Sequence, residues 1–328
     1  MKITTNSLLL TLAATIVTIA TTSTTVLAAP PDPATFSIAA ADPATGEVGV
    51  AVASRFFAVG SVVPFVRAGA GAVATQASAN TSFGPNGLDL MDRGAKAEEA
   101  LKILLRGDEG RDRRQVGLVT ASGDSATFTG PGCNSWAGGR RGPNYAIQGN
   151  ILTGEAVVAA VEKSFLASEG KPLAERLLAA LAAGDAAGGD SRGRQSAALL
   201  VCRAKGGYNG FTDRAVDVRV DDHADPFREL SRLVAMGVVN DLWNRGWTAF
   251  MEKRFAEALK WQEQATTRAE AQTAMLPEVV YDLAVIRLAA GDRDGALAAA
   301  RRALKLNPKL AAQAASDPDL EAIRAKLP

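Results

Sequence analysis

The chain has 328 residues, 47% apolar and 22% charged, a composition that excludes intrinsic disorder. Its 36 basic and 35 acidic side chains leave a net charge of +1, which gives no electrostatic basis for nucleic-acid binding. One histidine, His223, and two cysteines, Cys133 and Cys202, exclude on count a zinc site built from Cys and His clusters.

Lys2 supplies a positive start, and Leu8 to Ala20 is an apolar stretch too short to span a bilayer as a helix. Val26-Leu27-Ala28 fits the small-residue cleavage rule, so residues 1–28 read as a signal peptide cut after Ala28. The mature protein is expected to be secreted or periplasmic, with no membrane span after signal removal. That compartment permits a Cys133–Cys202 bridge. Cys202, in an apolar strand-like run, also reads as a small buried hydrophobe.

Residues 29–34 (APPDPA) form a proline-stiffened leader. Thr35 to Ala41 reads as a strand, Asp42 to Gly46 as a turn, and Glu47 to Ser54 as the second strand of a hairpin. In that second strand Val48, Val50 and Val52 alternate with Gly49, Ala51 and Ala53. Both faces are apolar, so both are expected to be buried, the small one against a closely approaching layer. A third strand follows at Gly71 to Ala77, then a helix over Leu88 to Leu105 and a hairpin from Val116 to Thr129. Gly130 to Gly142 reads as a glycine-rich loop and Tyr145 to Gln148 as a short strand. Helices are expected over Gly154 to Ala167 and Pro172 to Ala183, and closing strands over Ser196 to Arg203 and Ala215 to Val220. Asp225-Pro226 then starts a helix, with Asp as cap and Pro in its first turn. Hairpins alternating with helices indicate an α+β fold built on antiparallel sheets.

From Val238 to Pro328 the pattern is all-helical. Ala258-Leu259 and Ala296-Leu297 belong to two similar blocks, close to a tetratricopeptide period. Two helical hairpins are too few for a free-standing solenoid, so this tail is expected to pack on the main domain and to offer a surface to a protein partner.

Several segments, in order, resemble the DUF1028 family. They are Thr35 to Ala40, Gly46 to Arg55, Gly71 to Ala77, Gln148-Gly149-Asn150, Gly188 to Ala197 and Asp217 to His223. The resemblance spans residues 35–230 and implies an N-terminal-nucleophile (Ntn) hydrolase-like domain: an αββα four-layer sandwich of two antiparallel sheets between helix layers. The opening hairpin is also similar to that of proteasome-type subunits, with Ala53-Ser54-Arg55 where an acidic residue precedes the arginine in those proteins.

In such an enzyme an N-terminal residue attacks an amide carbonyl and its own α-amine takes the proton. The resemblance assigns that role to Thr35, which requires removal of Ala29 to Ala34. Asn150 and Asn80 are the expected oxyanion donors. Ser54, Arg55, Thr75, Gln76, Gln148, Asp190 and Ser196 are expected to line the substrate cleft, Arg55 by pairing with a carboxylate. Asp221-Asp222-His223 reads as a polar strand end, and Gly138 to Gly142 lacks the phosphate-loop lysine, so neither a metal nor a cofactor is expected. Two functions remain open at this point. One is an exported hydrolase that cleaves a C–N amide bond in a small amide or peptide. The other is a non-catalytic ligand-binding module with a partner-binding helical tail.

Overall fold

The computed structural model describes residues 35–271 and 274–328, so the expected signal peptide and the leader lie outside the described residues. These residues form ten strands and ten α-helices, an α+β arrangement with two antiparallel sheets.

The opening hairpin consists of β1 (Thr35–Asp42) and β2 (Glu47–Ser54), paired from Thr35↔Ser54 to Asp42↔Glu47. Asp42 makes the turn: its carbonyl accepts from Gly46 N and its carboxylate from Ala44 N. The hairpin sits in the middle of a six-stranded sheet. It is flanked by β8 (Tyr145–Asn150) and β7 (Gly138–Gly142) on one side, and by β9 (Ser196–Cys202) and β10 (Arg214–Val220) on the other. The second sheet runs β3 (Pro64–Arg67), β4 (Gly71–Ala77), β5 (Arg114–Thr120), β6 (Ser125–Thr129).

The period-two pattern of β2 predicts its packing correctly. Gly49, Ala51 and Ala53 face α3 (Ala156–Ala167) and α4 (Leu173–Ala186), and a Cβ on Gly49 would lie 2.8 Å from both Leu177 Cδ1 and the Leu200 carbonyl. Val48, Val50 and Val52 face the second sheet, where they meet Ala72, Ala74 and Val119. The outer face of the second sheet packs on α1 (Phe83–Asp92) and α2 (Ala97–Arg106) through Val73, Val116, Leu118, Leu101 and Leu104.

Three local features differ from the sequence expectation. The single helix over Leu88 to Leu105 is two helices, because Gly94 takes a φ of +93° and ends the first. Glu99 then caps Lys96 N and Asp124 accepts from Ala97 N, restarting the helix. The end of the glycine-rich loop is β7, an edge strand with one neighbour and no apolar alternation to reveal it. Finally, β3 is short and begins at Pro64, as an edge strand can.

Asp225 caps α5 (Pro226–Met251) by accepting from Arg228 N at 3.2 Å. This helix runs unbroken from the closing strands into the tail. There it pairs with α6 (Phe255–Ala269), and α7 (Leu276–Ala289) pairs with α8 (Arg293–Leu306). Two short helices, α9 (Leu310–Ser316) and α10 (Glu321–Arg324), finish the chain. The tail has its own core, in which Val279, Val280, Ala284, Ala300 and Leu320 are buried.

Asp282 in that region accepts from Trp243 Nε1 at 2.7 Å, and burial pushes its carboxyl up to about 6 from 3.8. Between those values the folded chain keeps a proton that the unfolded chain has lost, so this group lowers stability as pH rises from about 4 to about 6. Asp282→Asn keeps an acceptor for Trp243. It is expected to raise the melting temperature at about pH 7, by up to about 3 kcal/mol of stability, and to leave it unchanged at about pH 4. Calorimetric melts at the two pH values check both halves of the prediction.

Candidate functional site

The layer between the two sheets has two chemically different ends. One end is apolar, with Ala39, Ala41, Val48, Val50, Ala72, Ala74, Val119, Ala146 and Cys202. At the other, the same inward-facing positions of the same strands carry polar side chains: Thr35 and Ser37 on β1, Ser54 on β2, Gln76 on β4, Gln115 on β5, Gln148 and Asn150 on β8. All seven are at most 2% exposed. Buried polar groups at this density are stable only when they satisfy one another.

Thr35 opens this polar end. It lies in register with Ser54 on one side and Asn150 on the other, and its hydroxyl donates to Ser54 Oγ at 3.1 Å. Gln76 crosses from the opposite sheet. Its Nε2 donates to the Thr35 carbonyl at 3.0 Å and to Gln115 Oε1 at 2.8 Å, and its Oε1 accepts from Ser37 Oγ at 2.5 Å. Gln115 Oε1 also accepts from Asn150 Nδ2 at 3.0 Å, and Gln115 Nε2 donates to the Gly149 carbonyl at 2.7 Å. Gln148 Nε2 donates to Ser37 Oγ at 2.5 Å. Gly117 is required here, since a Cβ at that position would lie 2.0 Å from Gln148 Oε1. Thr35, Ser54, Gln76, Gln148 and Asn150, named from the sequence, therefore converge on one buried network.

Gln115 and Ser37 complete the network and were not among the residues named from the sequence. Both were detectable as polar residues on the inward face of otherwise apolar strands, two positions from Gly117 and from Thr35. Conversely, Thr75 and Asn80 do not join. Strand alternation turns Thr75 to the face opposite Gln76, where its hydroxyl donates to the Asn80 carbonyl at 3.2 Å. Asn80 Nδ2 donates to Asp108 at 3.2 Å, and Asn80 Oδ1 accepts from Ser82 Oγ at 2.7 Å. Asp108 is drawn down to about 2, chiefly by its hydrogen bond from Arg114, with Asn80 and the Gly110 N–H adding to it. Asn80 thus belongs to a separate, half-buried ion-pair cluster.

Arg55, Asp190 and Ser196 lie beside the end of β2, where Ser196 is in register with Ser54. Asp190 Oδ2 accepts from Arg55 N at 2.7 Å and binds Arg192 Nη2 at 3.0 Å. Arg55 Nη1 donates to the Arg192 carbonyl at 2.8 Å, leaving an exposed guanidinium beside the end of β2. Ser196 donates to the Phe56 carbonyl at 2.5 Å and accepts from Val59 N at 3.2 Å, fixing the segment after Arg55. Phe57 in that segment is 63% exposed.

The other sequence candidates are structural. His223 Nδ1 accepts from Asp225 N at 2.9 Å, part of the α5 cap. Among the described residues no group of three or more His, Cys, Asp or Glu side chains is arranged to hold a metal ion. No helix of the described residues is long and apolar enough to cross a membrane. Cys133 and Cys202 form no disulfide with each other, and burial pushes the Cys202 thiol up to about 12, too high for a thiolate nucleophile near neutral pH.

A model of a family of unknown function, DUF1028, matches residues 35–230. The crystal structure of a DUF1028 protein from Silicibacter pomeroyi is similar, with 33% identity and a TM-score of 0.55, over 61% of this chain and 87% of that one. No curated protein matches the chain.

Proposed function

The chain belongs to the DUF1028 family, and from its polar intersheet site we propose an exported hydrolase of Ntn type that cleaves a C–N amide bond in a small amide or peptide. One observation carries this reading. Thr35, the first residue of β1, opens a buried polar cluster between two sheets, with Ser54 and Asn150 as its register partners. We read the two sheets with α1 and α2 outside one and α3 and α4 outside the other as the αββα arrangement. The hairpins α5/α6 and α7/α8 are the tetratricopeptide-like tail, with a surface for a protein partner.

In the proposed reaction Thr35 Oγ1 attacks the amide carbonyl while the Thr35 α-amine takes its proton. The oxyanion is met by Asn150, one of whose amide hydrogens is held by Gln115 and the other left for the reaction. The C–N bond breaks, the amine leaves with the proton, and water then releases the acid from Thr35. Arg55 anchors an acidic group of the substrate. Thr35 is 1% exposed, and a peptide nitrogen is no base, so the reaction depends on cutting the chain between Ala34 and Thr35.

Intact-mass and N-terminal mass spectrometry of active protein tests this directly. Thr35 is the expected first residue; Ala29 as first residue in fully active protein would falsify the Thr35 mechanism. A second reading, a non-catalytic binding module, draws on the way Gln76 bonds to Gln115, Gln115 to the Gly149 carbonyl and Gln148 to the Ser37 hydroxyl, within the network rather than toward an open cleft. Ligand binding without turnover in protein that begins at Thr35 decides for it.

A further inference from the structure

The far end of β2 leads to a second site. Glu47 and Ser54 are its two ends, roughly 23 Å apart at the rise of an extended strand. At the Glu47 end, the β1–β2 turn, the start of α4, strands β9 and β10, and helices α5 and α6 enclose a cavity of about 250 Å³. Val201, Val216, Val238 and Leu242 form an apolar wall, and Trp261 closes one side. Protein interiors keep few voids larger than a water molecule, and a concave apolar space with a few convergent polar groups is the usual form of a small-molecule site.

Most of the charge at the cavity is already paired. Glu47 Oε1 accepts from Arg203 Nη1 at 3.0 Å and from Arg245 Nη2 at 2.7 Å. Asp241 accepts from Arg203 Nη2 at 2.8 Å and from Arg245 Nε at 2.8 Å. Both carboxylates are 7% exposed, and each is already answered by two guanidinium groups. Arg245 uses Nε and Nη2 in this network, which leaves Nη1 as a donor, and its guanidinium lies 5.1 Å from the centre of the Trp261 ring. Lys171 lines the mouth, exposed and with no acidic partner among the described residues. Of the other charges at the mouth, Arg268 is paired with Glu175, and Asp42 accepts from Ala44 N in its own turn.

We propose that this cavity binds a small monocarboxylate with an aliphatic body. The carboxylate is held by Arg245 Nη1 and Lys171 Nζ, and the body lies on Val201, Val216, Val238 and Leu242. Of the lining carboxylates only Asp42 lacks a guanidinium partner, and it accepts from Ala44 N in its own turn, so a cation of the same size has that one weaker point of attachment. The proposal does not depend on any chemistry at Thr35.

The test is titration calorimetry and thermal melting of the full chain with 4-methylpentanoate and with isopentylamine, which share an aliphatic body and differ in the sign of the head group. Saturable binding and a raised melting temperature are expected for the acid alone. Lys171→Glu, on an exposed residue that leaves the fold intact, is expected to weaken the acid by about 2- to 5-fold, the range of an exposed ion pair. Val238→Trp fills the cavity and is expected to abolish binding. Absence of saturable binding by the acid overturns the proposal. So does equal binding of the amine, or affinity unchanged in both variants. Thr35→Ala is expected to bind the acid as the unaltered chain does, and loss of binding in that variant counts against a separate site.

Discussion

Thr35→Ala is expected to leave the protein folded and to lower amide hydrolysis by about 10³-fold or more, the scale seen when an enzyme loses its nucleophile. The structural cost is small. The substitution removes one hydroxyl bonded to Ser54 and a methyl group, on the order of 1 to 2 kcal/mol. Gln76 still has the carbonyl of residue 35 to bond to, because that contact uses backbone. Chemistry is lost for a different reason: no other nucleophile stands at the polar end with a base of its own. Cys202 lies at the apolar end with its thiol pushed up, and Ser54 has no α-amine. Thr35→Ser keeps both hydroxyl and amine and is expected to retain activity. With the α-amine as base, kcat/KM rises as pH passes upward through about 7.7–8.0, where the amine loses its proton. The assay follows release of amine from small amides and peptides by protein whose N-terminus has been verified. Equal turnover by the Ala variant and the unaltered protein removes Thr35 from the mechanism.

The site was legible in the sequence where one strand supplied its own pattern. The opening hairpin announces itself through the Asp42–Gly46 turn and the two apolar faces of β2, and Thr35 and Ser54 follow as its paired ends. Gln148 and Asn150 stand out beside Gly149 in a short strand. Gln115 is harder to see, because it lies between Arg114 and an apolar run, and a polar residue there looks like the edge of a strand. Its burial arises only when β5 packs against β8. Thr75 and Gln76 are neighbours in sequence, yet the period of two sends them to opposite sides of the sheet, and Asn80 goes with Thr75. Sequence proximity grouped them, whereas strand geometry separates them. The break between α1 and α2 turns on Gly94, a single residue inside an otherwise helical pattern.

Asp241→Ala is the substitution expected to cost most stability, about 3–5 kcal/mol, the range found when one member of a buried ion pair is removed. Nothing in sequence spacing connects Glu47, Arg203, Asp241 and Arg245. They meet because α5 crosses the sheet at the start of β2 and the end of β9. Arg203 keeps only 15% of its side-chain exposure and Arg245 22%, so water cannot replace the lost carboxylate fully. Glu47 alone would then face two guanidinium groups, and its Oε1 already accepts from both. Because Asp241 lies on the helix that joins the sheets to the tail, the loss falls on the connection between them. Urea denaturation followed by tryptophan fluorescence reads it, since Trp243, Trp247 and Trp261 lie on α5 and α6. A lower midpoint with an unchanged slope is expected if the chain still unfolds as one unit; a reduced slope or a second transition means that the tail separates first. The contrast is Glu252→Ala, which breaks an ion pair with Arg254 in which both side chains are nearly half exposed, and which is expected to cost no more than about 1 kcal/mol. If the two variants prove equally stable, the four-charge network does not hold the tail to the sheets, and apolar packing of α5 on β9 and β10 must do so alone.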